Sequence, residues 1–372
     1  MRIGFVVKGG LHPSGRREVI PALLALLERL ALRHDVHAYA VQHLAEPATY
    51  QLRGVTVHDL GRPGGMARLA RWSQWRALRS ALARAEPFDV LHGFFVDPGG
   101  LLATLLGRQL GVPAVVTCSS GEFSALDDIR YGMQRTILGR ALVAASCHFA
   151  AVVHVPTHYM AHLAAQHGYV VSSISIGTDT AALSPPTSRL DGPPWKLLQV
   201  ASLNTVKDQT TLIDAVAIVA REVDVHLDLV GEDILNGSVQ AYAARAGIAE
   251  RVTFHGYVAF DQLASFFGAA HLYVQSSRHE ASGAAVMEAA ASGVPIVGTR
   301  VGYVADWDGE RAIAVAPGDP AALADAIVST LHNRDLRRGL SARARDFAVS
   351  HDVGWTADQF EKIYESLITR AR

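Results

Sequence analysis

The sequence has few cysteines and almost no net charge, and each shortage excludes a class of protein. Its two cysteines, Cys118 and Cys147, form no paired motif. This argues against a disulfide-stabilised secreted domain and indicates a reducing compartment. The formal net charge is −1, so electrostatics do not favour nucleic acid as a general partner.

Long hydrophobic runs are also missing. The apolar stretch over residues 23–32 contains Glu28 and Arg29 and is too short to span a bilayer. The chain starts directly with a strand pattern, MRIGFVV, so we expect no signal peptide. We therefore expect a cytoplasmic protein that is at most peripheral to the inner face of the membrane.

The sequence is rich in short apolar segments that alternate between strand and helix patterns. Its 372 residues are 49% hydrophobic, enough for two domains of roughly 150–200 residues. This alternation predicts an α/β protein with parallel sheets covered on both faces. We place the first domain at 1–185 and the second at 194–350, joined by a Pro- and Gly-rich hinge over 184–195. The last helix, over 356–372, is predicted to cross back onto the first domain.

Two glutamates stand out in the second half. Glu280 lies in a turn after a strand-like run, and Glu288 lies on a small-residue helix that Gly283 opens. A helix N-terminus with unpaired N–H groups suits a phosphate or another anion. Glu288 lies among apolar residues, where an unpaired carboxylate is costly. The position of Glu288 therefore predicts one of two roles. Its carboxylate either binds a ligand with paired hydroxyls, such as a ribose, or caps or salt-bridges a neighbouring element.

Two loops at strand ends precede these glutamates. Lys207 lies just before a helix that begins near Thr210, where its charge can neutralise a diphosphate. The same lysine is also typical of a solvated surface. Tyr257 follows another strand in the run FHGYV, whose backbone can bond a nucleobase. No G-x-G-x-x-G dinucleotide fingerprint is present.

Taken in order, four segments resemble glycosyltransferase family 4. They are SLNTVKDQTTLIDA, HGYV, SSRHEASGAAVMEAAASGVPIVGTRVG and PGDPAALADAI. The resemblance covers nearly the whole chain and implies the GT-B fold, two Rossmann-like domains with parallel sheets facing a central cleft. It further implies a retaining, metal-independent transfer of a sugar from a nucleotide-diphosphate sugar to an acceptor hydroxyl.

The resemblance also assigns roles to single residues. It places Glu280 against the hydroxyls of the donor sugar and Glu288 on the donor ribose, and it places Lys207 on the diphosphate. Backbone N–H groups of residues 281–283, which include Ser282 and Gly283, are expected to contact the sugar and phosphates. Gly10 matches a first-domain glycine loop that approaches the donor. Glu280 and Lys207 are thus the predicted catalytic residues, and Tyr257 completes the donor site.

The chain departs from the family pattern at two positions. Ser202 stands where the family usually has an arginine that binds the diphosphate, so we count Ser202 among the donor-binding positions only by its place. Ser119 stands nearest to a histidine that the family commonly has in the first domain. No first-domain catalytic histidine is therefore carried over. Weaker donor binding, a different sugar or lost activity would each fit these departures.

The acceptor is expected in loops of the first domain. The predicted contacts are His12, Ser14, Ser119 and Glu122, and His92 is a further candidate. In the implied mechanism a donor phosphate oxygen accepts the proton of the acceptor while the bond to the diphosphate breaks, without a protein nucleophile. No cofactor is expected besides the nucleotide sugar, and no metal, since His158 and His162 lack a third ligand.

Three functions remain open at this point. The first is a retaining hexosyltransferase that acts on an unknown glycan, lipid-linked or small-molecule acceptor. The second is a nucleotide-sugar epimerase on the same fold, which the glutamate pair disfavours. The third is a non-catalytic nucleotide-sugar binder or partner subunit, suggested by Ser202 and Ser119.

Residues 62–84 carry six arginines and no acid. On a helix, Trp72 and Trp75 share a face with Arg68, Arg71 and Arg79, which suits an anionic lipid surface or a phosphate-bearing acceptor. The alternative is a helix that docks its tryptophans on the domain and leaves its arginines in water.

Overall fold

A computed structural model describes residues 1–62, 67–186 and 192–371, apart from the side chains of residues 67–71 and 371. The predictions for the side chains of Arg68 and Arg71, and for linker residues 187–191, lie outside the described residues. The chain divides into two compact units. Unit 1 comprises Met1–Ser175 and Val353–Arg372, and unit 2 comprises Ile176–Asp352.

Unit 1 contains one eight-stranded sheet in the order β3-β4-β2-β1-β5-β6-β7-β8. All its pairs are parallel except β3 with β4. Numbered along the chain, its strands are β1 Arg2–Lys8, β2 Asp35–Val41, β3 Ala48–Leu52, β4 Val55–Asp59, β5 Val90–Phe94, β6 Ala114–Thr117, β7 Val152–Val155 and β8 Ser172–Ser173. Its helices are α1 Pro21–Ala31, α2 Ala67–Arg84, α3 Leu101–Leu110, α4 Ile137–Phe149, α5 His158–Gln166 and α13 Val353–Ala371.

The central strands of this sheet are covered on both faces. Five consecutive residues of β1 are buried, as expected for a strand between two helical layers. Helix α1 starts with Pro21, whose fixed φ suits a first helical turn, and buries leucines at helical spacing. The predicted strand-helix alternation therefore follows from burial on both sides of the sheet.

The last helix, α13, belongs to unit 1, although it follows unit 2 in sequence. Arg33, after α1, contacts Asp358 at 2.7 Å, and His34 Nε2 lies 2.6 Å from Glu361 Oε1. In the core below, His92 Nδ1 lies 2.6 Å from the hydroxyl of the buried Tyr364. These polar and buried contacts hold the C-terminal helix on the sheet of unit 1.

Unit 2 contains a six-stranded parallel sheet in the order β11-β10-β9-β12-β13-β14. Its strands are β9 Trp195–Val200, β10 Val225–Val230, β11 Val252–Gly256, β12 Leu272–Gln275, β13 Ile296–Thr299 and β14 Ile313–Val315. Its helices are α6 Gln209–Val219, α7 Ser238–Arg245, α8 Leu263–Ala269, α9 Ala284–Ala291, α10 Gly302–Asp306, α11 Pro320–His332 and α12 Arg334–Ser350.

Unit 2 begins about ten residues before the predicted domain boundary at 185. Ile176 donates its backbone N–H to the Tyr303 hydroxyl at 2.8 Å, and this hydroxyl in turn donates to the Ile176 carbonyl at 3.0 Å. Leu183 is buried in the core that includes Tyr303 and Trp307. The segment before the Pro-rich stretch is therefore packed on unit 2, which local composition does not reveal.

Candidate functional site

The strand order of unit 2 reverses between β9 and β12. From β9 the chain first adds β10 and β11 on one side, and then β12, β13 and β14 on the other. Parallel sheets bind ligands at the carboxyl ends of the strands beside such a reversal. Lys207 follows β9 and Glu280 follows β12, so both predicted catalytic residues lie at this point.

Lys207 and Glu280 form an ion pair across the reversal. Lys207 Nζ donates to Glu280 Oε1 at 2.5 Å, and Ser277 Oγ donates to the same oxygen at 2.7 Å. The other carboxylate oxygen, Oε2, has no hydrogen-bond donor among the described residues. Both side chains are partly accessible, with 23% of Lys207 and 12% of Glu280 exposed. The pair thus presents one charge-compensated and one open carboxylate oxygen.

The loops that carry this pair are tied to each other. Asn204 Oδ1 accepts the Lys207 N–H at 3.1 Å, and Ser276 Oγ donates to the Lys207 carbonyl at 2.8 Å. Arg278 donates its backbone N–H to the Val206 carbonyl at 2.7 Å. The lysine is therefore held beside the glutamate by backbone and side-chain bonds together.

Ser202 lies at the start of the same loop. Its hydroxyl accepts from Asn204 Nδ2 at 3.3 Å, and its carbonyl accepts from Gln209 Nε2 at 3.2 Å. Asn204 in turn accepts the N–H of Lys207. Ser202 therefore orders the lysine loop, and it brings no charge to the position where the family usually has an arginine.

The loop between Glu280 and α9 ends on a glycine that geometry requires. Gly283 has φ +84, and a Cβ there would lie 2.9 Å from Gln275 Oε1. Only glycine adopts this backbone without strain. Helix α9 starts immediately after it, so the unpaired N–H groups of its first turn follow the loop. The carbonyl of Ser282 accepts the Tyr303 N–H at 2.9 Å, which fixes the loop.

Glu288 is buried within α9 and has no charged partner among the described residues. Its residue exposure is 6%, and burial raises the pKa of its carboxyl to about 7. The buried Tyr273 lies near both glutamates. Burial raises the pKa of the Tyr273 hydroxyl, and the negative charges of Glu280 and Glu288 raise it further. An acid so placed favours a ligand that donates hydrogen bonds.

Tyr257 follows β11 at the same carboxyl side of the sheet. Strand β11 is the edge strand, two positions from β9, and the tyrosine is 46% exposed. Tyr257 thus lies nearer to the edge of the sheet than the Lys207–Glu280 pair, which follows β9 and β12. Its role in nucleobase binding stays a prediction.

Unit 1 has its own reversal of strand order, between β1 and β5. A cavity of about 450 Å³ opens at the residues that follow these two strands and β6. Its lining consists of Lys8, Phe95, Asp97, Ser120, Gly121, Glu122, Tyr131, Gly132 and Met133. Of the four predicted acceptor residues, Glu122 is the one that lines this cavity.

Glu122 carries a buried, half-satisfied carboxyl group. Its exposure is 1%, and its Oε2 accepts the Ser120 N–H at 2.7 Å. Its other oxygen, Oε1, is buried without a hydrogen-bond partner in the described structure. Burial raises the pKa of this carboxyl, and bonds from backbone N–H groups partly offset the rise. A buried unpaired oxygen at a cavity wall is costly unless a ligand pairs with it.

The other predicted first-domain residues lie elsewhere. His12 Nδ1 is 2.9 Å from Ser14 Oγ, within the loop that follows β1. That loop includes Gly10, whose φ is +76 and whose carbonyl accepts the Ile20 N–H at 2.9 Å. Ser119 is half-buried after β6. The lining of the first-domain cavity contains none of Gly10, His12, Ser14 and Ser119.

His92 is a core residue rather than an acceptor contact. It is fully buried, and its ring nitrogens lie 2.6 Å from the Tyr364 hydroxyl and 2.7 Å from Thr117 Oγ1. Burial lowers the pKa of its imidazole well below the usual range. The sequence pattern FDVLH predicted a strand that ends at His92, but β5 runs over Val90–Phe94 and places His92 in its middle, where α13 covers it.

Several residues at the two reversals were missed. Ser277 and Asn204 hold the Lys207–Glu280 pair, and Lys8, Asp97 and Tyr131 line the first-domain cavity. Lys8 ends β1 and Asp97 follows β5, so their positions at strand ends are a signal that could have found them. Among the described residues, no group of three or more His, Cys, Asp or Glu side chains is arranged to hold a metal.

No helix in the described ranges combines the length and the apolar character needed to cross a bilayer.

Two family models match most of the chain. Residues 18–174 match the model described as "Glycosyl transferase 4-like domain", and residues 195–333 match "Glycosyl transferases group 1". A relative of 24% identity over 71% of both chains is the N-acetyl-alpha-D-glucosaminyl L-malate synthase of Bacillus anthracis. An MMP alpha-(1->4)-mannosyltransferase of Mycolicibacterium hassiacum is 31% identical over 53% of this chain and 48% of its own length.

Solved structures match the fold over the full length. Sucrose-phosphate synthase from Thermosynechococcus elongatus superposes with a TM-score of 0.81 at 19% identity and full coverage of both chains. Anabaena HepE in complex with UDP-glucose gives a TM-score of 0.77 at 18% identity, covering 98% of this chain and all of that one. The predicted GT-B fold with two Rossmann-like domains is confirmed.

Proposed function

The chain belongs to glycosyltransferase family 4, and we propose that it transfers a hexosyl group from a nucleotide-diphosphate sugar to an acceptor hydroxyl with retention of configuration. The observation that carries the proposal is the Lys207–Glu280 ion pair at the reversal of the second sheet. The relative HepE, solved with UDP-glucose, supports a nucleotide-sugar donor. Epimerase and non-catalytic binder functions are not favoured, since the relatives named above are transferases or synthases.

Lys207 exchanges its partner in the proposed reaction. The donor diphosphate replaces Glu280 as the counter-charge of the ammonium group, which frees Glu280 Oε1. Because Oε2 is already open, both carboxylate oxygens can then accept hydroxyl groups of the sugar. The lysine and the α9 N-terminus stabilise the charge that builds up on the leaving diphosphate. Until the donor binds, the 2.5 Å ion pair keeps the charges of Lys207 and Glu280 compensated.

Glu288 binds the donor ribose in this proposal. The carboxylate, ionised on binding, accepts hydrogen bonds from the two ribose hydroxyls, and these bonds replace the water that burial removed. Ser282 and Gly283 offer backbone N–H groups to the sugar and phosphates, while Tyr257 contacts the base. A phosphate oxygen of the donor accepts the acceptor proton while the bond from the sugar to the diphosphate breaks, so the proposed reaction needs no protein base or nucleophile. We propose that it also uses no metal or cofactor.

The acceptor binds to unit 1. The cavity beside Glu122 supports this, because its unpaired Oε1 is positioned to accept a hydrogen bond from a hydroxyl. His12, Ser14 and Ser119 lie on the loops after β1 and β6, outside the lining of this cavity, and are proposed as further acceptor contacts. Gly10, on the loop after β1, is proposed to approach the donor. The acceptor is a glycan, a lipid-linked molecule or a small molecule, and we propose that the reaction takes place in the cytoplasm.

The first experiment identifies the donor. Thermal unfolding is measured with a panel of uridine, guanosine and adenosine diphosphates and their sugars, since a ligand that binds the native state raises the melting temperature. Lys207→Met should abolish the shift. Lys196→Met is the matched control, because Lys196 is an exposed lysine near the start of β9, the strand that leads to the Lys207 loop.

The second experiment tests transfer and stereochemistry. The donor that gives the largest shift is incubated with an acceptor pool, and the anomeric configuration of the product is read from the proton coupling in its NMR spectrum. An inverted product would refute the retaining mechanism. Donor binding without transfer or hydrolysis, with any acceptor, would favour a binding protein instead.

A further inference from the structure

Three helices of unit 1 cover one face of its sheet. Leucines of α2 and α3 pack into one core with alternating residues of β1 and β5, namely Leu78, Leu82, Leu102, Leu106, Val6 and Leu91. Helix α4 lies beside α3, and the Arg108 guanidinium of α3 stacks 5.1 Å from the Phe149 ring that ends α4. The intervening residues Phe5 and His92 point to the other face, where α13 contributes Phe360 and Tyr364.

Charge is segregated between these two faces. The sequences of α2, α3 and α4 contain seven arginines and no aspartate or glutamate: Arg68, Arg71, Arg76, Arg79, Arg84, Arg108 and Arg140. The helices of the other face, α1 and α13, contain four acids and three bases: Glu28, Asp358, Glu361, Glu365, Arg29, Lys362 and Arg370. The net charge of the whole chain is −1, yet the charged residues of these three helices are all arginines. We call this layer of three helices the basic face.

The basic face also exposes large apolar side chains. Trp72 is 57% exposed, and the Arg76 guanidinium stacks 4.6 Å from its ring. Arg79 stacks in the same way on the half-buried Trp75, at 5.3 Å. Trp72, Arg76 and Arg79 are spaced i, i+4 and i+7, so they form one outward stripe of α2.

Helices α3 and α4 continue this mixture of apolar and basic residues. Leu105 and Leu110 of α3 are exposed, and so are Ile137 and Leu138 in the first turn of α4, at 79% and 58%. Exposed leucine and isoleucine side chains gain nothing from water, and neighbouring arginines keep the same surface charged. Such a layer combines two attractions that one partner can satisfy at once.

We propose that the basic face docks on the surface of a bilayer that contains anionic phospholipids. Arginine binds the phosphate headgroups, tryptophan lies at the headgroup level, and the aliphatic side chains enter the boundary with the acyl chains. A polyanion such as a nucleic acid would satisfy the arginines but would leave Ile137 and Leu138 in water. The proposal does not depend on the transferase reaction, because it involves neither Lys207, Glu280 nor Glu288.

Vesicle sedimentation tests this docking. The full chain is mixed with vesicles of phosphatidylcholine alone, and with vesicles that contain about one third phosphatidylglycerol. We expect at least tenfold stronger partition to the anionic vesicles at low salt, weakening as salt screens the arginines. Equal partition to both vesicles, or none to either, would overturn the proposal.

Charge-matched variants locate the contact. Arg76→Gln/Arg79→Gln is expected to reduce partition about tenfold or more, on the scale of roughly fivefold for each arginine near an anionic surface. Arg29→Gln/Lys362→Gln removes the same charge from exposed positions of the opposite face and should change partition less than twofold. Melting temperatures near that of the wild type show that all variants fold.

The apolar part is tested separately by Trp72→Ser, which should weaken partition to anionic vesicles and leave the salt dependence intact. Two results would contradict the proposal. One is an equal loss of binding in the Arg29→Gln/Lys362→Gln control. The other is binding to heparin that resists the addition of anionic vesicles, which would identify a polyanion as the partner.

Discussion

In both units the strand order reverses beside the first strand of the sheet, between β1 and β5 in unit 1 and between β9 and β12 in unit 2. At the reversal in unit 2, Lys207 and Glu280 neutralise each other at 2.5 Å. At the reversal in unit 1, Lys8 forms no ion pair with the described residues, and Glu122 leaves a buried oxygen unpaired beside a cavity. The same architecture therefore carries two different charge arrangements.

This difference fits a division of labour. A donor diphosphate brings two negative charges and needs a cation that is held in place but can change partners. An uncharged acceptor needs hydrogen-bond acceptors in a cavity, and an unpaired carboxyl oxygen provides one. In the proposed function, the roles of the two units therefore depend on the loops that follow the strands, while the sheets serve as similar supports.

The largest loss of activity is expected from Lys207→Met, in unit 2. Removing the cation should lower kcat by about 10²- to 10³-fold, because the leaving diphosphate loses its counter-charge. Lys8→Met, at the corresponding place in unit 1, should cost less than tenfold. Initial rates of sugar transfer check both, with Lys196→Met as control. Equal losses for Lys8 and Lys207 would remove the distinction between the two reversals.

Next in size is Glu280→Gln, which keeps the shape of the side chain and removes its charge. We expect about 10²-fold lower turnover, since the sugar is no longer oriented, with nucleotide affinity changed less than threefold. Calorimetric titration with the nucleoside diphosphate separates the two effects. Glu310→Gln, on the surface of the same unit, is the control, and an unchanged kcat would exclude Glu280 from the sugar site.

Glu288→Gln tests whether this glutamate binds the ribose of the nucleotide in unit 2. Loss of a hydrogen bond to a charged group should weaken nucleotide affinity about tenfold at pH 8. The wild type should bind more weakly at pH 6 than at pH 8, because its carboxyl has a pKa of about 7 and must ionise to accept the ribose hydroxyls. The variant should lose this dependence. Parallel pH profiles for both proteins would contradict ribose binding by Glu288.

The same residue predicts a pH effect on stability without ligand. In the folded protein Glu288 holds its proton up to about pH 7, whereas the unfolded chain releases it near 4.5. The folded state therefore loses stability as pH rises between these values. Glu288→Gln cannot ionise, so it should be more stable than the wild type by up to about 3 kcal/mol at pH 8 and similar to it at pH 5. Urea unfolding at both values measures this difference.

The smallest effect is expected from Glu122→Gln. The substitution keeps one oxygen at the cavity wall, so the KM for the acceptor should rise roughly three- to tenfold, on the scale of one hydrogen bond. Donor hydrolysis without acceptor should stay unchanged. Glu86→Gln serves as a surface control in the same unit. A fall in donor affinity instead would place Glu122 on the donor side.

Local patterns were enough to predict the elements around the proposed donor site. The strand, loop and helix that carry Glu280 and Glu288 have apolar runs, a glycine and small residues in an order that admits few other structures, and Gly283 does have the positive φ of a loop end. The Lys207 loop was found for the same reason. Predictions for His12 and Ser14 were less specific, because polar loop residues are common and the loop after β1 folds on itself through the Gly10 carbonyl.

The amino-acid sequence by itself determined most of the strands and helices, although not β3, and several of the polar residues that follow the strands, since these depend on spacing over a few residues. Only the tertiary structure decided what those residues meet. Lys207 and Glu280 are 73 positions apart and join because β9 and β12 are neighbours. His92 became a core residue because α13 returns to unit 1, and three separate helices formed one basic face because they cover the same side of a sheet. Contacts between distant segments follow from strand order, which no local pattern encodes.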